Sequence, residues 1–346
     1  MRPLTLAALL LGLLSLGARP GGREGAPPLL SQTGLYSDPG KLAVDPANQP
    51  YAPQYPLWSD GAAKARWVRL PPGGRIDASV LDAWKFPPGT RFWKEFTFAG
   101  RKVETRMLWR TASAWQYATY LWNAEQTDAA LASADGEKNH FPLGEGKAHS
   151  IPSVKDCRTC HENGGSEVLG FTALQLSPDR DPLAPHAEPL QPGMTTLATL
   201  LQEGRLASAP ADLAARPPRI PAATPRGRAV LGYLAANCGN CHPGNSPVLA
   251  RLGLDLRVPA AARDETALPW RGSALDVAGK TSIGDAPEGQ TRRIKAGAPD
   301  LSTVAYRMAS RRPARQMPPL GSVLPDLEAL ALVRAWIAED LAMPKR

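Results

Sequence analysis

The residues best placed to do chemistry are the cysteines. The chain has four, in Cys157-Arg158-Thr159-Cys160-His161 and Cys238-Gly239-Asn240-Cys241-His242. Both segments are C-x-x-C-H, the pattern of covalent c-type haem attachment. At this composition one chance match is expected roughly 7 × 10⁻⁴ times per chain, so two by accident are negligible. The spacing has a chemical reason. Two thiols three positions apart reach the two vinyl groups on one edge of a haem. The adjacent imidazole then stands under the ring as proximal ligand to iron. Three rival uses fit less well. A thioredoxin-like pair needs a βαβ pattern, and neither motif has one. Zinc sites built from two such pairs usually space them about 15–20 residues apart. Two disulfides do not call for histidine at the same offset twice. The expected cofactors are therefore two c-type haems, bound by Cys157, Cys160, His161, Cys238, Cys241 and His242.

An iron held by one histidine has a sixth position to fill. For the second haem the candidate is Met317, in Gln316-Met317-Pro318-Pro319. A flexible thioether on a proline-rich loop is the usual partner in a His/Met haem and raises its potential. A terminal helix should follow. Asp326 reads as its N-cap, with Leu327, Leu330, Val333, Trp336 or Ile337, and Leu341 at helical spacing. For the first haem Met194 is the corresponding methionine, just before the helix-like run of Leu197, Leu200 and Leu201. His149, His186 and His140 compete with it, as does an open iron face.

The elements that must position these groups fall into five stretches. Arg2 followed by the apolar run Leu4–Leu16 reads as an export signal over 1–18. The run is too short to span a bilayer, so the mature chain is expected to be extracytoplasmic, periplasmic in a bacterium, with no transmembrane anchor. Residues 19–45 read as a linker. Residues 46–150 read as an antiparallel β-domain, a sandwich or open barrel. Phe92, Phe96 and Phe98 share one parity, Val103 to Trp109 alternate after the Ala99-Gly100 turn, and Trp115 to Leu121 make a third strand. Seven of the nine tryptophans lie in 51–125; they read as the core of that domain, with an aromatic-ligand platform as the alternative.

Two mainly α, cytochrome c-like haem modules are expected next, at 151–215 and 216–346. The proline-rich stretch 207–227 should join them, and residues 251–300 form an insertion that covers the second haem. Such modules are too small for a large core, so the haem itself must serve as core. The fold class is α+β, with several domains.

The chain resembles a family of secreted bacterial di-haem c-type cytochromes of largely uncharacterised role. The resemblance lies in Tyr55-Pro56-Leu57-Trp58-Ser59-Asp60-Gly61, Phe92-Trp93-Lys94-Glu95-Phe96 and Glu104-Thr105-Arg106. It continues through Ile151-Pro152-Ser153 and Met317-Pro318-Pro319, and covers most of the mature chain. It implies two covalent haems and electron transfer near the cell envelope, and it supplies no substrate.

Two function classes follow. The first is an electron carrier, or the electron-accepting subunit of an oxidoreductase, working with a redox partner such as a dehydrogenase or another cytochrome. The alternative is a haem enzyme, peroxidase-like or otherwise oxidant-activating, with an open face at the first haem. That enzyme needs a distal acid/base group, and no such constellation stands out. The formal net charge of +8 comes from dispersed basic residues, which argues against nucleic acid as a partner.

Overall fold

The computed structural model of the chain describes residues 25–244, 252–284, 286–287 and 289–342. The expected export segment lies outside the described residues. Strands β1 (Tyr36–Asp38) and β2 (Ala43–Val44) pair with each other ahead of the main sheet. That sheet comprises β3 (Gln49–Pro50), β4 (Ala63–Arg69), β6 (Arg91–Phe98), β7 (Arg101–Arg110), β8 (Trp115–Trp122) and β9 (Ala129–Leu131). Its six strands are antiparallel and lie in the order β3-β4-β6-β7-β8-β9. It is one open sheet, where the sequence suggested a sandwich or open barrel. Beside it, β10 (Glu137–Gly144) and β11 (Lys147–Ile151) form a hairpin. The short β5 (Ile76–Asp77) pairs in parallel with β12 (Leu206–Ala207).

Alternation gives the sheet two apolar faces. On one, Val68, Phe92 and Tyr117 meet Val168, Phe171, Leu176, Leu197 and Leu200 from the segment that follows the hairpin. On the other, Trp93, Met107 and Tyr120 are covered by Leu30, Leu35 and Tyr36. Trp84, Trp93, Trp115 and Trp122 are buried, so these four tryptophans are core residues.

Residues 151–215 have no core of their own. Their helices are short: α1 (Val154–His161) and α2 (Leu197–Gln202). Their apolar side chains complete the sheet's core, Leu206 pairs with Ile76, and Ala207, the first residue of the expected linker, pairs with Asp77. The physical reason is the scarcity of apolar residues in this proline- and glycine-rich stretch, too few to bury a separate core.

The second half is helical. It contains α3 (Pro225–Leu234), α4 (Pro269–Ser273), α5 (Thr303–Ala309) and α6 (Leu327–Ala335). Val230, Leu231, Trp270, Ala305, Val333 and Trp336 share one core. Helix α3 starts at Thr224, whose hydroxyl accepts from the Gly227 N–H, and runs on as a π-helical turn, Ala235–Gly239, that carries Cys238. Helix α6 is capped by Asp326, which accepts from the Ala329 N–H at 3.0 Å, as its sequence predicts.

Candidate functional site

The second motif opens onto a cleft. Cys238, Cys241 and His242 line it together with Leu254, Met308 and Met317, and its empty volume is about 810 Å³ with the mouth included. The stretch after residue 251 does cover this motif. The Leu256 N–H donates to the His242 carbonyl at 2.9 Å, and the Gly244 N–H to the Leu254 carbonyl at 3.1 Å. The His242 side chain is buried, and its Nδ1 has no hydrogen-bond partner. Burial, with Arg307 and Arg293 nearby, pulls its pKa below the usual imidazole value. The ring is therefore neutral, the form that binds a metal. The thioether of Met317 and the imidazole of His242 thus share one largely apolar cleft, whose walls also carry Arg293 and Arg307.

The first motif is built into α1. Its start is a capping box: Ser153 Oγ accepts from the Asp156 N–H at 3.1 Å, and the Ser153 N–H donates to Asp156 Oδ2 at 3.0 Å. Cys157 packs against the aromatic core of the sheet. His161 Nδ1 donates to the Glu167 carbonyl at 2.7 Å. A carbonyl only accepts, so the proton is on Nδ1 and Nε2 is left as a Lewis base, the arrangement that orients a ligating histidine. The Tyr117 ring lies 5.6 Å from the His161 ring. Burial holds His161 down at about 4, so it too is neutral.

The two motifs touch. The Asn240 side-chain amide, between the cysteines of the second motif, donates to the carbonyl of Cys160 in the first. Cys241 lies near enough to Cys160 for its charge to act on that thiol. All four thiols are free, and burial pushes Cys157 and Cys160 up to about 11 and Cys238 up to about 12. Neutral thiols beside a neutral imidazole fit the donor set for thioether-linked haem. Among the described residues no group of three or more His, Cys, Asp or Glu side chains is arranged to hold a metal ion.

The other sequence candidates lie elsewhere. His149 is buried between two carboxylates, with Nδ1 2.9 Å from Asp60 and Nε2 2.9 Å from Glu104, so both ring nitrogens are taken. His186 Nε2 is 2.9 Å from Asp326, and its Nδ1 is 3.5 Å from Glu328. His140 Nδ1 is 3.1 Å from Glu137 on β10. The Met194 sulfur accepts from the Gln191 N–H within a turn, and the next residue, Thr195, bonds to the Pro50 carbonyl at the edge of the sheet. None of these four contacts involves the first motif.

Three features escape sequence reasoning. Met308 offers a second thioether in the cleft, from a helix whose apolar pattern alone marks it as core. The Asp60–His149–Glu104 bridge continues through a two-point pair from Arg106 to Glu104, at 3.0 and 2.5 Å. At its other end Asp60 accepts from the Val323 and Leu324 N–H groups at 2.7 and 2.9 Å. The third feature is a row of cations on the sheet beside His161. Arg66 is in register with Lys94, and Lys94 with Arg106.

Among the described residues no helix is long and apolar enough to cross a membrane. No family model matches the chain, and no curated protein or solved structure matches it either.

Proposed function

We propose that the chain is an extracytoplasmic di-haem c-type cytochrome, which exchanges electrons with a redox partner protein through two covalently bound haems. The observation that carries this reading is the direct contact between two C-x-x-C-H motifs, each presenting two thiols and a neutral imidazole. Haem, when bound, supplies a one-electron iron couple. The chain's own groups do the rest. Glu167 fixes the His161 tautomer, Met317 offers a thioether to the second site, and Leu254 and Leu256 give that site an apolar wall. The Asn240–Cys160 contact keeps the two cofactors adjacent. The resemblance to secreted di-haem cytochromes and the export-like N-terminus agree with this role.

The test is the intact mass and visible spectrum of protein made in a host that matures c-type cytochromes. Two covalent haems are expected. One should be lost in Cys157→Ser/Cys160→Ser and the other in Cys238→Ser/Cys241→Ser. Both irons should be low-spin and reversibly reducible. A chain with no covalent haem sinks the proposal. A high-spin iron that responds to peroxide makes the protein a haem enzyme instead.

A further inference from the structure

The cation row on the sheet is the strongest feature that the proposed function leaves unused. Arg66, Lys94 and Arg106 stand directly opposite one another on β4, β6 and β7, and Lys64 lies two residues from Arg66 along β4. Like charges opposite one another in a sheet repel. Two of the three are neutralised within the protein: Arg66 pairs with Glu188 at 2.6 Å, and Arg106 with Glu104. Lys94, between them, has no such partner. Its Nζ sits 4.8 Å from the centre of the Phe96 ring, and among the described residues no carboxylate is within ion-pair distance of it. The charges that face it are Arg66, Lys64 and Arg106, with Glu188 as the one acid. Burial, with these cations around it, pulls the Lys94 pKa well below the usual lysine value, so an anion beside it is what would hold it charged. Arg66 Nη2 is also buried with no hydrogen-bond partner.

The row has a direction. Arg106, at one end, acts on Cys157, Cys160 and His161. Lys94, next in the row, acts on His161. The row therefore leads away from the thiols that would hold the vinyl edge. A haem's two propionates lie on the edge opposite its vinyls, so they would project along this row.

We propose that Arg66, Lys94 and Arg106 form an anion seat that takes the propionate carboxylates of the haem held by Cys157, Cys160 and His161. The seat rests on the haem reading given above. It gives the β-sheet a function: one wall of the first haem site is the sheet face itself. With a carboxylate seated beside it Lys94 is held charged, and Arg66 and Arg106 supply hydrogen-bond donors.

The experiment is a redox titration of the mature protein, followed in the visible spectrum, with Lys94→Gln and Lys94→Arg beside the wild type. Intact masses establish how many haems each carries. Loss of the cation beside a propionate favours the oxidised iron. Lys94→Gln should shift one haem about tenfold toward the oxidised form, about 59 mV for one electron, and leave the other unmoved. Lys94→Arg should keep the wild-type value. If Lys94→Gln fails to mature, Lys64→Gln at the outer end of the cluster should move the same haem in the same direction. Two attached haems with unmoved potentials overturn the seat alone. A high-spin iron in Lys94→Gln also overturns it, because Lys94 would then be an iron ligand. A wild-type mass with fewer than two haems overturns the haem reading, and the seat with it.

Discussion

Asn240 donates its side-chain amide to the carbonyl of Cys160, so the residue between the cysteines of one C-x-x-C-H motif is bonded to a cysteine of the other. The approach is close on both sides. A Cβ on Gly164 would fall 1.9 Å from Asn240 Oδ1, so this glycine is what lets the Asn240 side chain in. Asn240→Ala removes one hydrogen bond and should destabilise the protein by about 1 kcal/mol. Gly164→Ala should displace the same amide and destabilise by a similar amount. Thermal melts of the two single variants and the double variant check this. The double variant should be clearly less destabilised than the sum of the singles, and a fully additive result would mean that the two residues act separately.

A second close approach ties the sheet domain to the second motif. Gly232, in α3, faces the ring of Tyr55, and a Cβ there would fall 2.1 Å from the ring edge. Tyr55 is buried, and its hydroxyl donates to Asp181 at 3.0 Å, so the ring cannot swing away freely. Gly232→Ala should therefore cost about 1–3 kcal/mol through overpacking. Tyr55→Phe should lose only the hydrogen bond, about 1 kcal/mol. Chemical denaturation of both variants gives the comparison. A Gly232→Ala protein as stable as wild type would show that the helix and the segment around Tyr55 can separate at no cost.

Much of the local structure is legible in the sequence, because it depends on neighbours along the chain. The three central strands announce themselves by alternation and by the Ala99-Gly100 turn, and the last helix by Asp326 and its apolar spacing. The loop position of Met317 follows from the prolines after it. The long-range features are not legible. Asp60, Glu104 and His149 come from distant points in the chain, and each alone looks like an ordinary polar residue. Lys94 falls on the parity of Phe92 and Phe96, which identifies its face, but not the Arg66 and Arg106 beside it, because register is a property of strand pairing. The expected helical module at 151–215 fails for a related reason. Its few apolar residues pack on the sheet, a surface that no pattern within the segment reveals.

Two thioethers line the second cleft, and they make different predictions. Met317 lies on a loop, where a substitution can relax. Met308 is buried in α5 within the helical core. Met317→Ala should remove the low-spin signature of one haem and lower its potential by more than about 59 mV, a tenfold shift, with little loss of stability. Met308→Ala should leave the spin state intact and cost about 2–5 kcal/mol as a cavity in the core. Visible spectra and redox titrations of the two variants separate the roles. Loss of the low-spin signature in Met308→Ala alone would exchange them.

The Asp60–His149–Glu104 bridge should leave a pH signature in stability. Burial pulls the His149 imidazole down, but its hydrogen bonds to Asp60 and Glu104 outweigh that and raise its pKa above the usual value. The stabilisation it brings is present in full below the ordinary value of about 6.5. It is lost as pH rises through the raised folded value. Glu104 has the opposite sign. Burial pushes its carboxyl up, yet Arg106 and His149 prevail and hold it at about 2. Its contribution is present in full above the ordinary carboxylate range and is lost as pH falls toward about 2. Stability should therefore be greatest between about pH 4.5 and 6.5 and decline on both sides. His149→Gln should flatten the alkaline decline. His149→Ala should cost about 3–5 kcal/mol at pH 6, because two buried carboxylates lose their shared partner. Melting temperatures from pH 4 to 9, with visible spectra to follow the haem environment, test the assignment. Parallel alkaline declines in wild type and His149→Gln would mean that another group sets that arm.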